Sequence, residues 1–445
     1  MTPREAAHAV WQAALAAADV RPLVRRAVRR VDASTWEIGG ARVEVPRDGR
    51  VLAVGCGKAS GAMAASLEDV VGNRLDAGLV VVKDGYAVPT RHVRILEAGH
   101  PVPDARGETA ARAILDLLRG LSERDVVFLL ISGGGSALAP APAPPVTLEE
   151  KRTVTRRLLG AGANISELNA VRKHLSLMKG GQLARAASPA RVIALVLSDV
   201  IGDPLDVIAS GPAAPDSSTF AIAIDVLRRR GVWESAPAAV RERLEAGRRG
   251  EIDETPKPGD PVFERVSHHV VGNNALVTDA AVARAGALGY RPMLLTRALE
   301  GEARDVARDL VTRARALAPP ACLVAAGETT VTVRGPGQGG RCQEWALAAA
   351  LAVDGVSELT VLAGGTDGTD GPTDAAGGIV DGTSVQRMRA AGVDALAALD
   401  ANDAHRALAV AGDLLVSGPT RTNLLDLYLV LHGHCSSDGR TDLSS

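Results

Sequence analysis

The sequence predicts an α/β protein of two domains, the first built on a mainly parallel sheet. Three observations carry that reading. The chain has 445 residues, more than one compact core usually organises, so two domains are the default. Short Val/Ile/Leu runs alternate with Ala/Arg/Leu-rich helical stretches almost throughout. Strands that are apolar along their whole length and separated by helices are those of a parallel sheet covered on both faces. The texture breaks at RRGEIDETPKPGDP, residues 248–261, which is charged, Pro-bearing and aperiodic, as an interdomain linker would be.

The elements follow in order. MTPREAAHAVWQAALAAADVRPLVRR opens the chain and reads as an amphipathic helix. Arg4, Glu5 and Asp19, with no apolar central segment, separate it from a signal peptide. Strands are predicted over 51–54, 78–82, 93–97, 126–132 and 192–197, with helices over 108–121 and 148–161. Beyond the linker come strand 268–272, helix 275–287, strand 292–296, helix 303–318 and strand 322–326. Strand 330–334, helix 342–351 and strand 359–362 complete the pattern. The predicted domains are 1–250 and 262–432, with residues 433–445 a polar, Ser-rich tail.

Composition excludes several classes of function. A formal charge of -2 lacks the basic excess of a nucleic-acid binder. Aromatic residues are only 2%, too few for base-stacking platforms, so the core must be built from Val, Leu, Ile and Ala. No apolar run approaches the roughly 20 residues that span a bilayer. Cys56, Cys322, Cys342 and Cys435 show no metal or disulfide spacing. A cytoplasmic protein acting on a small molecule is expected, with neither nucleic acid nor membrane as partner; a homodimer is left open.

Ligands of α/β sheets bind beyond the carboxyl ends of strands, and five Gly-rich loops fall there. In VLAVGCGKASGAMA, Gly55 and Gly57 sit between a strand and a helix, as in an anion-binding turn. Lys58 follows and would lie beside a dinucleotide, beside ATP or in solvent. The dinucleotide reading wants an acidic residue about 20 positions on, and the second strand offers only Lys83-Asp84; the Walker pattern fails. In LLISGGGSALAP, Ser132, Gly133, Gly134, Gly135 and Ser136 let a backbone approach an anion closely and add hydroxyls. Asp199 ends a strand in LSDVIGDP, placed to reach a metal or a substrate hydroxyl, or to cap a following helix. Gly337, Gly339 and Gly340 precede Arg341, a cation at the first turn of a helix where acids are preferred; its planar fork suits phosphate or carboxylate. Asp367, Asp370 and Asp374 alternate with Thr and Gly in AGGTDGTDGPTDAAGG, an oxygen-rich loop of the kind that holds Mg²⁺. Arg172, Ser176 and Lys179 fall on one side of a helix, either a solvated basic face or help for an acidic substrate. Lysine, arginine, Mg²⁺ and an acid that orients a nucleophile are the equipment of phosphoryl transfer.

GCGKASGAMA, AGHPVPD, SGGGSALAPAP, LNAVRKHLSLMKGGQLA, SDVIGDPLDVIASGPAAPD, GETTVTVRGPGQGGRCQEWAL, AGGTDGTDGPTDAAGG and SGPTRTNLLDL occur in that order. Together they resemble the glycerate 2-kinase family, also called MOFRL-type glycerate kinases, over roughly residues 5–430. The resemblance implies ATP-dependent phosphorylation of D-glycerate at its 2-hydroxyl with Mg²⁺, a Rossmann-like N-terminal domain, and an active site in an interdomain cleft. It implies active-site roles for Lys58 and Arg341. Asp199 is then the expected partner of the 2-hydroxyl, Asp367 and Asp370 the metal loop, and the Gly-rich loops the backbone donors. Some relatives were once labelled hydroxypyruvate reductases, which leaves an NAD(P)H-dependent reductase, or a ligand-binding relative without catalysis, as alternatives. Two residues depart from the family pattern: Cys342 stands where Asn is usual, and Arg421 where Gly is usual.

Overall fold

A computed structural model describes residues 1–433; Cys435 and the predicted tail beyond Gly433 lie outside the described residues. The chain divides into Val20–Val271 and a second unit of Met1–Asp19 with the chain from Gly272 on.

The first unit holds a six-stranded sheet in the order Val93–Ala98, Ala77–Lys83, Val51–Cys56, Val126–Ile131, Arg191–Leu197, Val266–Gly272. The pairings among the first five are parallel. Every residue of Val51–Cys56 and of Val126–Ile131 is buried, as expected of strands covered on both faces. Numbered along the chain, those five strands run 3-2-1-4-5, so strand order reverses between Val51–Cys56 and Val126–Ile131. That reversal is a topological switch point, where such sheets bind ligands. The helices Leu148–Gly160, Ile165–His174, Phe220–Arg229 and Ala238–Arg248 build a separate core around Leu158, Val171, Phe220, Leu227 and Leu244. A small antiparallel sheet, Val28–Arg30, Thr35–Ile38 and Ala41–Glu44, is too short and exposed to stand out in sequence.

Residues 248–261 do not separate the units. They are irregular, yet Thr255 is buried and donates to Asp216 at 2.9 Å, and Glu254 accepts from the Phe220 N–H at 2.9 Å. These bonds tie the segment into the first unit, and the chain leaves that unit after Val271.

The second sheet runs Arg291–Leu299, Ala321–Gly327, Asp426–His432, Leu359–Gly365, Gly377–Asp381, Leu414–Leu415. Only its first pairing is parallel, and Asp426–His432 enters in reverse between two earlier strands. The predicted strand 330–334 is irregular: Thr330 makes one bridge to Glu302, and Thr332 is held by the Glu302 side chain. The N-terminal helix Pro3–Ala17 belongs to this unit. A Thr2–Glu5 capping box starts it, and it buries Ala6, Ala7, Val10, Trp11 and Ala14. Trp11 lies against Gly364, where a Cβ would come within 2.8 Å of the indole. Among the described residues no helix is long and apolar enough to cross a membrane.

Candidate active site

Both loops at the switch point are locked together. Gly55 faces the neighbouring strand, where a Cβ would meet the Leu130 carbonyl oxygen at 2.1 Å. Gly57 adopts φ +145, and a Cβ there would strike Ser132 Oγ at 2.1 Å. Close approach of two backbones is thus what both glycines provide. The Ser132 hydroxyl accepts from the Ala59 N–H at 2.9 Å, and the Gly133 carbonyl accepts from the Lys58 N–H at 2.9 Å. Ser132 is fully buried, so it clamps the loops and does not face a ligand. Gly134, with φ +82, leaves room for His100, whose ring a Cβ would approach to 2.9 Å, with Lys58 Cγ at 3.7 Å. Lys58 and His100 therefore flank the second loop, with Lys58 half-buried.

Ser136 leads to the strongest electrostatic feature of this unit. Its hydroxyl receives Arg172 Nη2, receives Lys179 Nζ at 2.5 Å, and shares a 2.8 Å bond with Ser210 Oγ. Lys179 also donates to the Ser136 carbonyl at 2.9 Å, and Lys151 Nζ donates to the Leu175 carbonyl at 3.1 Å. Lys151, Lys179 and Ser176 are buried and Arg172 is half-buried. The solvated basic face is thereby corrected: three cations converge, and their bonds go to Ser136 and main-chain carbonyls. Ser210 is held in place by a strained loop, with Ala209 at φ 51 and Ser210 at φ 63. Such strain in non-Gly residues persists where surrounding structure imposes it and concentrates at functional sites. Ser210 Oγ in turn donates to Asn169 Oδ1 at 2.9 Å.

Burial pushes the Lys151 ammonium down to about 7, aided by repulsion from Arg172 and Arg243 and opposed by Glu108. Burial likewise holds Lys179 well below its ordinary range, with Arg172 and Lys151 adding to it. A lysine with a depressed folded-state value is charged below that value and neutral above it. Affinity for pyrophosphate, measured by calorimetry, should therefore fall as pH rises through about 7. Lys151→Gln should flatten that step.

In the second unit Arg341 opens the helix Arg341–Ala352. Its Nε and Nη2 donate to the two oxygens of buried Asp426 at 2.5 and 3.0 Å, and Nη1 pairs with Glu328 at 2.9 Å. These carboxylates hold the guanidinium firmly protonated despite its burial. The anion behind the four glycines is thus first of all the protein's own. Gly335 and Gly337 pack on Ala401, where a Cβ would meet its carbonyl oxygen at 2.4 and 2.6 Å. The Gly337 N–H bonds the same carbonyl at 3.0 Å, so Gly337 has no donor left for phosphate. At Gly340 a Cβ would lie 2.3 Å from Asp370, and at Gly339 one would press on Ala404 at 3.3 Å. Packing accounts for all four positions.

Asp370 is not placed as a metal ligand. Its oxygens accept from the Cys342 and Gln343 N–H groups at 3.2 and 2.8 Å, which caps the helix N-terminus. Burial raises it to about 6 against those bonds. Asp367 fits a metal better: it is buried, and one oxygen takes the Thr369 N–H at 3.1 Å. A Cβ on Gly365 would lie 3.3 Å from the Thr369 carbonyl oxygen and 3.4 Å from an oxygen each of Asp367 and Asp426, so both carboxylates border the same point. Among the described residues no group of three or more His, Cys, Asp or Glu is arranged to hold a metal; Mg²⁺ usually takes only one or two carboxylates together with phosphate oxygens.

Asp199 sits just past the strand Arg191–Leu197, half-buried, with a turn and no helix after it, which removes the helix-cap alternative. Asp84 is held at both oxygens by Arg106, at 2.7 and 2.9 Å, so it is not a waiting ribose acceptor. Cys342 is buried, its thiol pushed up by burial and by Asp426. Arg421 is exposed, at φ 59, a backbone conformation that favours glycine. Arg421→Gly should leave the fold intact and raise stability by up to about 1 kcal/mol in thermal melts.

Residues 6–245 match a family model described as a domain of unknown function, DUF4147, and residues 321–426 match the MOFRL family. A D-glycerate 2-kinase of Thermotoga maritima is 45% identical, over 86% of this chain and 90% of the relative. A relative from Agrobacterium vitis with a provisional designation as hydroxypyruvate reductase is 44% identical, over 88% and 89%. The crystal structure of a Thermotoga maritima glycerate kinase superposes with a TM-score of 0.83 at 40% identity, covering 96% of this chain and 99% of that one. With both family models matched in order and relatives this similar along nearly their whole length, the chain belongs to the glycerate 2-kinase family.

Proposed function

We propose that this protein transfers the γ-phosphoryl group of ATP to the 2-hydroxyl of D-glycerate, giving 2-phospho-D-glycerate and ADP. The observation that carries the reading is the convergence of Arg172 and Lys179 on Ser136 beside the switch point, with Lys151, held on the Leu175 carbonyl, lining the same cavity. Cations drawn out of water with no carboxylate partner among the described residues are costly unless an anion arrives to neutralise them, and both substrates of a glycerate kinase are anions. Lys58, at the switch-point turn, neutralises charge on the transferring phosphoryl group. Asp199 orients the 2-hydroxyl and accepts its proton. Arg341 offers Nη1, whose partner Glu328 is half-exposed, to a phosphoryl or carboxylate oxygen. Asp367 is the residue that would hold Mg²⁺, which would supply charge neutralisation to the phosphates of ATP.

The same reading favours the cytoplasm: Cys56 and Cys342 are buried thiols outside any disulfide, in keeping with a reducing compartment. The reductase alternative is weakened by Asp84, whose oxygens Arg106 already occupies. A coupled assay separates the two. ADP release that requires D-glycerate is expected, whereas NADH consumption by hydroxypyruvate without ATP would replace the kinase reading with the reductase.

A further inference from the structure

We propose that the cavity beside Ser136 is the nucleotide pocket, its apolar rim taking adenine and its cationic floor taking the phosphates. The inference rests on the kinase reading for the identity of the nucleotide.

The cavity lies wholly in the first unit and encloses about 420 Å³. It opens at the carboxyl ends of the parallel strands, between the loop after Val93–Ala98 and the one after Val126–Ile131. Its rim carries three of the large apolar side chains that the protein leaves exposed: Val102 at 54%, Leu159 at 58% and Ile165 at 52%. Single exposed apolar residues need no explanation, but several around one mouth mark a face that a ligand covers. The floor has the opposite character. Ser136, Lys151 and Arg172 line it, Lys179 backs Ser136, and Arg152 and Arg156 add charge from the helix that carries Lys151. Asn169, itself buried, accepts from the Ser210 hydroxyl at Oδ1 while its Nδ2 has no partner. An orphaned donor thus lies two hydrogen bonds from the floor.

An apolar mouth over a cationic floor selects a ligand with one flat apolar end and one multiply charged end. Glycerate has no apolar face, and the volume is that of a drug-sized ligand rather than a three-carbon acid. A purine nucleotide has both ends. Its phosphates supply the charge that Arg172, Lys151 and Lys179 lack, and its base covers Val102, Leu159 and Ile165.

The test uses the full chain with both rim residues changed, Leu159→Glu and Ile165→Glu. Both are exposed, so folding is expected to persist, and thermal melts verify it. The calorimetric Kd for ATP should rise by on the order of tenfold or more from like-charge repulsion at the rim. The KM for D-glycerate should stay within about twofold, as for a site remote from the change. Arg172→Gln, a second variant with the rim intact, should weaken the binding of both tripolyphosphate and ATP. An unchanged ATP Kd in the rim variant, or a raised glycerate KM with ATP binding intact, overturns the placement. A wild-type protein that binds ATP but does not phosphorylate glycerate would sink the kinase reading, while the rim variant's ATP Kd would still decide the pocket.

Discussion

Arg341→Ala is expected to lower kcat by on the order of 10²-fold or more, the usual loss when a group that meets transition-state charge is removed. It is also expected to destabilise the second unit. Asp426 is 1% exposed and receives two donors from Arg341 and one from the Tyr428 hydroxyl at 3.1 Å. Removing the guanidinium leaves that carboxylate buried beside the Cys342 thiol and unpaired. Breaking a buried pair from one side costs about 3–5 kcal/mol, and the low end applies here because the Arg341 side chain is 35% exposed. The two effects separate in the double variant Arg341→Ala/Asp426→Asn. It removes the unpaired charge and should recover most of the stability while leaving kcat low. If the double variant regained turnover as well, Arg341 would be an internal partner of Asp426 and nothing more.

Lys58→Ala carries the second large effect, a fall in kcat again on the order of 10²-fold or more, this time with the backbone of the turn retained. The difference follows from the contacts. The turn is held by main-chain and Ser132 bonds, namely Lys58 N–H to the Gly133 carbonyl and Ala59 N–H to Ser132 Oγ. Alanine keeps both. Lys58→Arg should recover part of the rate, since it restores charge but replaces a compact ammonium with a planar fork. A Lys58→Ala enzyme with near-normal kcat would remove Lys58 from the mechanism.

The first sheet was legible because its strands are continuous apolar runs between helical stretches; all five predicted strands fall within two residues of the observed bounds. Strand direction in the second sheet was not. An apolar run reads alike in either direction, and Asp426–His432 slots in reverse between Ala321–Gly327 and Leu359–Gly365. The Thr/Val alternation at 330–334 looks like a strand but lacks a neighbour to complete a ladder. Amphipathicity in residues 3–17 shows that one face is buried without saying against which unit. At the proposed site, the lysine after Gly57 and the arginine after Gly340 stand out in sequence, whereas the glycines before Arg341 have a packing role that sequence does not reveal. Glycine permits close approach of a ligand or of another chain segment, and here Ala401, Ala404 and Asp370 do the approaching. The converse happened with Arg172 and Lys179. Read as one helix they suit a solvated face, but the helix ends at His174 with Lys179 beyond it, and the loop bearing Ser210 and the Ser136 turn, both distant in sequence, enclose them.

The most direct test of phosphoryl transfer to the 2-hydroxyl is ³¹P NMR of the product formed from ATP, Mg²⁺ and D-glycerate by the purified protein. The account predicts ADP and 2-phospho-D-glycerate in equal amounts. Phosphate on the 3-hydroxyl, or no turnover with any short 2-hydroxy acid, would contradict it.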